Sequence, residues 1–476
     1  MNAKETHIPK GEDTVNAWEK VWPEDVGLSS KGLLTYLEQV EKSGVELHSV
    51  KVLRHGKLAM AADFAPYDDH TPHMLFSLSK SFCSAAAGFA VQEGLLSWDS
   101  KVLEILPEYA PENPSEWLQS VTLHHLLCMG SGLKEESDNI QEREHWARAT
   151  LSCDCARQPG TYFHYNSHGT YLVSCMVQKV TGQTIRDYLI PRLFLPLGIP
   201  VPYWSSSPEK VNCGGWGLFL TSDSIARFGQ CLLQKGVWEG KQVLPLEWLE
   251  KATMAQIDNS NGNQDPENEW HQGYGYQFWR TRGNRFRGDG AFGQLCMISP
   301  DLDMVAAVTA GVNDMGLEMR LMHEYLFPAA EMAPGTEEEK QALQKKLAAL
   351  SCPWPQDDGS GECADGVFKN KDITLYAKET EGVLNLRLMD PDVELEMLAG
   401  KDQPVLFPMN PGLFSETANT WAAQYGWEKG KLHLVARNLN GPQRLDAWVT
   451  YAEGKIELNT TQSLCFIQYT GTLEKQ

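Results

Sequence analysis

The stretch Phe76-Ser77-Leu78-Ser79-Lys80-Ser81-Phe82 decides how the rest of this chain is read. From Ser77 a run rich in alanine and phenylalanine extends to Gln92 and closes on Glu93-Gly94, a pattern that predicts a helix stopped by glycine. In such a helix Lys80 stands three residues after Ser77, on the same face. A serine hydroxyl is a weak nucleophile until a base takes its proton. A lysine can share that role only where burial or a neighbouring positive charge lowers its pKa from about 10.4. The helix N-terminus would also favour negative charge developing beside Ser77. A capping serine next to a surface lysine has the same spacing, so the motif needs support from elsewhere in the chain.

Working outward, Ser29-Ser30 can cap a helix whose Leu33, Leu34, Leu37 and Val40 share a face. The apolar runs 49–53 and 58–62, joined by Arg54-His55-Gly56-Lys57, predict a β-hairpin. Further helices are expected over 122–129, 170–180 and 222–234, and strands over 274–280, 295–298 and 304–309. Strands at both ends with helices between them indicate an α+β domain built on an antiparallel sheet. Near residue 335 the pattern changes. Residues 336–350 read as a charged helix and 352–361 as a linker. Beyond it Leu384, Leu386 and Leu388, then Leu432, Leu434 and Ala436, then Ile456 and Leu458 alternate with polar residues. Turns are expected at Asp402-Gln-Pro, Asn410-Pro-Gly, Lys429-Gly430 and Glu453-Gly454. The expected division is therefore a first domain over 1–335, helix and linker over 336–359, and an all-β domain over 360–476.

The whole chain has 476 residues, 41 Lys+Arg and 62 Asp+Glu, a net charge of −21. That balance argues against binding nucleic acid, which needs a basic face, and against docking on an anionic membrane. The longest apolar runs, 85–91 and 304–310, are too short to span a bilayer. No apolar run of signal length follows the polar start Met1–Lys10, and the eleven cysteines are odd in number and scattered, which points to a reducing cytoplasm. Cys153 and Cys155 form a lone pair without a second set of ligands, so they are read as ordinary thiols; no metal or cofactor is expected.

Four further segments follow the Ser77 motif in order: Thr122–Leu133, Pro159–Ser167, Gly214-Gly215-Trp216-Gly217-Leu218 leading into Thr221–Phe228, and Arg287-Gly288-Asp289-Gly290-Ala291-Phe292-Gly293. The set resembles the serine β-lactamase/penicillin-binding-protein superfamily over roughly residues 20–330, closest to its class C-like esterase, amidase and D-aminopeptidase branch. The resemblance implies an antiparallel sheet flanked by helices, with a mainly helical subdomain. It also implies Ser77 as the acylated nucleophile, Lys80 as its partner, and Tyr165 as the proton acceptor that later activates water, titrating together with Lys80. The oxyanion hole would be the N–H groups of Ser77 and Ala291.

Two departures stand out. The family's Tyr-Ser-Asn is here Tyr165-Asn166-Ser167, so Ser167 stands where an amide normally binds substrate, unless Asn166 takes that role. The third motif reads Gly288-Asp289-Gly290 where β-lactamases have Lys-Thr-Gly. A carboxylate beside the missing cation would repel anions, which predicts poor penicillin hydrolysis and a neutral or cationic substrate. Arg287, one residue earlier, is expected on the opposite face of the strand from Gly288. Trp216 and the aromatic run Trp270–Trp279, with Tyr274 in it, are the candidates for substrate shape, alongside simple packing against the sheet.

Gly288–Gly293 is literally GxGxxG, yet a strand follows it and not the helix that a dinucleotide site requires. His164 and His168 lack an acidic third ligand, and His124-His125 precede an apolar pair and read as structural. The leading function is hydrolysis of a small ester or amide through an acyl-serine. Alternatives are acyl transfer from the same intermediate, or a non-catalytic ligand-binding protein of this fold. The C-terminal domain is read as a cap, a homo-oligomer surface or a brace.

Overall fold

The computed structural model describes residues 17–134, 144–263, 265–389, 394–409, 419–463 and 469–476, with side chains 461–463 excepted. Its first sheet has six strands: β1 (Leu47–Arg54), β2 (Lys57–Asp63), β3 (Trp279–Thr281), β4 (Arg285–Gly290), β5 (Gln294–Ser299) and β6 (Met304–Ala310). Their order is β2-β1-β6-β5-β4-β3, antiparallel throughout. The helices that matter for the site are α1 (Ser30–Ser43), α2 (Ser79–Gln92), α3 (Leu123–Leu127), α4 (Ser167–Thr181), α5 (Ser222–Leu233), α6 (Met315–Leu321) and α7 (Glu337–Ala348).

Both faces of this sheet are covered. Leu295 and Met297 pack with Leu33 and Leu37 of α1 and Met319 of α6, while Cys296 and Ile298 pack with Ile225 and Phe228 of α5 and Phe82 of α2. Strand alternation assigns successive residues to opposite faces, so a sheet buried on both sides reads as the unbroken apolar run Leu295–Ile298. The expected helices and the 54–57 hairpin form, with His55 and Gly56 in the left-handed region at the turn. Thr336 and Glu339 cap α7 reciprocally.

The strand expected over 274–280 shortens to Trp279–Thr281. Gly273 and Gln277 take positive φ, and Gln277 is drawn out of extended geometry by its bonds to three helices. It accepts from Ser81 Oγ at its carbonyl (2.8 Å) and from Thr170 Oγ1 at its side chain (2.9 Å), and its Nε2 donates to the Leu127 carbonyl (2.9 Å).

The second sheet has ten strands: β7 (Gly366–Lys369), β8 (Thr374–Thr380), β9 (Val383–Met389), β10 (Glu394–Gly400), β11 (Val405–Met409), β12 (Asn419–Glu428), β13 (Lys431–Asn438), β14 (Arg444–Ala452), β15 (Lys455–Ser463) and β16 (Thr470–Lys475). The order is β10-β9-β8-β7-β16-β15-β14-β13-β12-β11. A parallel pairing of β10 with β12 at Gly400 and Gln424 returns the ladder on itself. Leu375, Leu386, Leu434, Val449 and Leu458 line its interior, which accounts for the alternation in the sequence. Lys429-Gly430 and Glu453-Gly454 make the expected tight turns; the turn at Asn410 lies outside the described residues. Among the described residues no helix is long and apolar enough to cross a membrane.

Candidate active site

Ser77 sits in a 3-10 turn, Phe76–Leu78, immediately before α2, so the predicted helix begins two residues later than Ser77 itself. The i to i+3 relation survives because the 3-10 turn runs directly into the helix. Lys80 Nζ donates to Ser77 Oγ at 2.9 Å and to the Gly215 carbonyl at 2.8 Å. Lys80 is 1 % exposed while Ser77 is half-buried, so the lysine is screened and the serine is reachable. Phe76 has φ 46°, left-handed backbone that a bulky residue adopts only when its surroundings impose it.

Gly215 reaches Lys80 because its loop runs between helices. A Cβ on Gly214 would touch Ser174, Thr170 and Cys83, and one on Gly215 would lie 2.9 Å from the Ser167 carbonyl. The Gly214-Gly215 pair is therefore a requirement of close backbone approach, and it anchors the ammonium. The role of the Gly215 carbonyl could not be read from sequence, since it depends on a contact 135 positions away from Lys80.

Lys80 Nζ also lies over the Tyr165 ring, 4.7 Å from its centroid. The ring stacks on Trp279 (5.5 Å, 20°) and meets Tyr274 edge-on (6.4 Å). Tyr274 is 1 % exposed and belongs to an apolar cluster with Met129, Phe163 and Trp279, so it backs Tyr165 and is not a surface for substrate. Burial, with Tyr165 and Asp289 nearby, raises its phenol well above the usual range.

Asn166 also has a structural role. It is the N-cap of α4, and its Oδ1 accepts the Gly169 N–H at 2.7 Å. One lone pair of that oxygen is therefore engaged in capping the helix. Ser167 is the first residue of α4 and is half-buried against the Gly215 loop. Trp216, half-buried, stacks on Trp146 (5.8 Å) beside His168.

Strand β4 passes close to the nucleophile turn. A Cβ on Gly290 would collide with the Leu75 carbonyl and lie 3.1 Å from Leu78 N; one on Gly288 would collide with Leu78 and lie 2.6 Å from Ser81 Oγ. Ala291 follows the strand and packs against the cluster of Met74, Phe76 and Phe219. The motif thus brings Ala291 beside the residue preceding Ser77.

Asp289 does not stand alone. Arg287 faces away from Gly288, as alternation requires, but that places it on the same face as Asp289, two residues on. The guanidinium meets Asp289 Oδ2 at 3.0 Å, and Trp270 Nε1 donates to the same oxygen at 3.2 Å. Both side chains are buried. Asp289 is half of an ion pair and not a free carboxylate, so the argument for anion repulsion loses its source. Nearby Glu269 is held down to about 2. Burial alone would raise it, but the His323 imidazole 3.0 Å away, the hydrogen bond from Thr281 and the Arg282 guanidinium outweigh that cost.

An antiparallel sheet sandwiched by helices, with a Ser-x-x-Lys turn tucked between β4 and a helical lobe, is the architecture of the serine β-lactamases and penicillin-binding proteins. Residues 37–329 match the model of the Beta-lactamase family, and the chain belongs to that family. Among curated relatives, the 6-aminohexanoate-dimer hydrolase of Paenarthrobacter ureafaciens is 26 % identical over 275 residues, covering 51 % of this chain and 66 % of the relative. The chain spans about half to two thirds of the length of the curated relatives it matches. Among solved structures, a beta-lactamase-like protein from Bacteroides dorei superposes with a TM-score of 0.55 at 16 % identity, over 64 % of this chain and all of that one. SurE superposes with a TM-score of 0.52 at 18 % identity over 87 % of this chain and 98 % of SurE, a likeness of fold that extends past the family's segment.

Proposed function

We propose that the protein is a serine hydrolase that cleaves a small carboxylic ester or amide through an acyl-Ser77 intermediate. The observation that carries this reading is the hold on Lys80: its ammonium lies between Ser77 Oγ, the Gly215 carbonyl and the Tyr165 ring. Tyr165 accepts the Ser77 proton as Oγ attacks the carbonyl carbon, and the neighbouring ammonium favours the phenolate side of that exchange. The N–H groups of Ser77 and Ala291 receive the developing oxyanion. The leaving alcohol or amine takes the proton from Tyr165 and the acyl group stays on Ser77. Water then gives a proton to Tyr165 and its oxygen to the acyl carbon, and Ser77 leaves with that proton. A relative named for hydrolysing the 6-aminohexanoate dimer supports the hydrolase class.

Penicillins are poor substrates in this proposal because Gly288 offers no ammonium where β-lactamases have lysine. With Asp289 paired to Arg287, a neutral substrate is favoured over a cationic one. Residues 1–335 form the catalytic domain, 336–359 the connector and 360–476 a β domain. A cytoplasmic setting belongs to the same proposal, supported by the ten free cysteines among the described residues.

A fluorophosphonate probe followed by intact-mass measurement tests the assignment. One adduct on the parent protein is expected, none on Ser77→Ala, and slow labelling on Lys80→Ala. An unlabelled parent, or a labelled Ser77→Ala, would overturn it.

A further inference from the structure

The turn Asn438–Gln443 joins β13 to β14, and hairpin turns ordinarily lie in solvent. This one does not. Asn438, Asn440 and Gln443 are 1 %, 4 % and 4 % exposed, and Gly441 and Pro442 between them are buried. Its polar groups are mutually satisfied: Asn438 Nδ2 donates to Gln443 Oε1 (2.8 Å), Asn440 N to Asn438 Oδ1 (2.9 Å), and Thr420 N to Asn440 Oδ1 (2.9 Å). A buried turn so bonded is rigid before it meets anything else.

What it meets is the short strand that feeds the nucleophile. Met74 N donates to the Asn440 carbonyl at 2.8 Å, and Asn440 Nδ2 donates to the Pro72 carbonyl at 2.9 Å. The other edge of His73–Met74 pairs with Phe219–Leu220, and Leu75 N donates to the Leu218 carbonyl at 2.9 Å. Three residues after Pro72 begin Leu75, left-handed Phe76 and Ser77. Downstream, α2 and the glycines of β4 hold this turn; upstream, the strand 73–74 must hold it. A strained residue keeps its conformation only when both flanks are fixed.

Taking Ser77 as the nucleophile, we propose that Asn440 is a positioning residue. Through its carbonyl and its side-chain amide it clamps the strand 72–74, so that the second sheet fixes the backbone geometry of the nucleophile turn. The second sheet then takes part in catalysis without touching substrate.

Three variants test this. Asn440→Ala loses both side-chain bonds; Asn440→Asp keeps the acceptor for Thr420 N but loses the donor to Pro72; Val449→Ala weakens the second sheet's interior away from the turn. Acylation by an activated ester, and amide hydrogen exchange in peptides spanning 70–80, are measured on the full chain. For both Asn440 variants we expect acylation to slow by up to about 10²-fold with KM nearly constant, since a misplacement of about 1 Å caused far from the reacting atoms has effects of this order. Exchange at 74–77 should quicken, whereas Val449→Ala should alter neither. Unchanged exchange at 74–77 in both Asn440 variants overturns the clamp whether or not the protein acylates. Equal slowing in Val449→Ala also overturns it, reducing the effect to general stability. A parent that never acylates, with exchange still coupled to Asn440, overturns the assignment of Ser77 and leaves the clamp standing.

Discussion

Glu318 of α6 is 1 % exposed, and among the described residues neither of its carboxylate oxygens has a hydrogen-bond partner. Burial pushes its pKa well above the carboxylate range; the Asp289 carboxylate adds to this and Arg287 partly offsets it. The group therefore holds its proton in the folded protein and loses it in the unfolded chain above about pH 4.5. Protonation then favours folding, so this contribution is complete below that pH and declines as pH rises toward the folded value. Glu318→Gln removes the titration while keeping the shape. Thermal unfolding from pH 4 to 9 should show parent and variant alike at the acid end, with the variant gaining relative stability as pH climbs. Parallel curves would mean that the carboxyl is ionised after all. Nothing in Met315–Leu321 singles out this residue in sequence, because the burial comes from the turn 291–293, where a Cβ on Gly293 would lie 2.7 Å from Glu318 Oε2. The contact of Ser77 with Lys80 is legible because the two are three residues apart, whereas Tyr165 is picked out only by the resemblance, its approach to Lys80 being long-range. The Arg287–Asp289 pair was legible in principle, since residues two apart on a strand share a face, but only once the register of β4 is known.

At the scale of elements, the site depends on how closely β4 approaches the turn before α2. Gly290 has no room for a side chain: the Leu75 carbonyl and the Leu78 amide occupy the space. Gly290→Ala must push the strand away from the turn, carrying Ala291 with it. The expected result is acylation slowed by about 10²–10³, the scale of losing one oxyanion donor, with a smaller loss of thermal stability. Retention of parental rates would show that Ala291 N–H is not part of the hole. Helices, hairpin and central strands could be read from the sequence because capping residues and apolar period are local signals. The strand of the expected 274–280 run starts only at Trp279 because Gln277 answers to α2, α3 and α4 and not to its neighbours. The closure of the ten-stranded ladder was equally hidden, since alternation reports that a strand has an inside but not which strand completes the ring.

For the whole molecule, the two sheets meet around one largely enclosed carboxylate. Glu46, at the start of β1, accepts from Arg437 Nε (3.1 Å) and Nη2 (3.0 Å) on β13 and from Arg444 Nη1 (2.8 Å) on β14. Arg437 also lies over the connector's Trp354 at 4.6 Å and has a fully buried side chain. Burial works against the Glu46 charge, but the nearby His48 imidazole and the hydrogen-bonded Arg437 guanidinium overcome it and hold its pKa far below the usual range. Ala422 and Leu439 of the second sheet join the same apolar cluster as Val50 and Met297 of the first. With polar and apolar contacts shared in this way, denaturant should unfold both sheets in a single transition. Glu46→Ala leaves the buried Arg437 guanidinium without its carboxylate and should cost about 3–5 kcal/mol. Replacing both members, Glu46→Leu with Arg437→Leu, should recover much of that loss, because Arg444 keeps Asp446 as its partner (2.9 Å). Far-ultraviolet and tryptophan signals followed in urea provide the measurement. A Glu46→Ala loss under about 1 kcal/mol would show that water reaches the arginines, whereas two separated transitions would show that this carboxylate couples the sheets. In that second case acylation should fail with the second sheet's transition, since Asn440 of that sheet bonds the strand leading to Ser77.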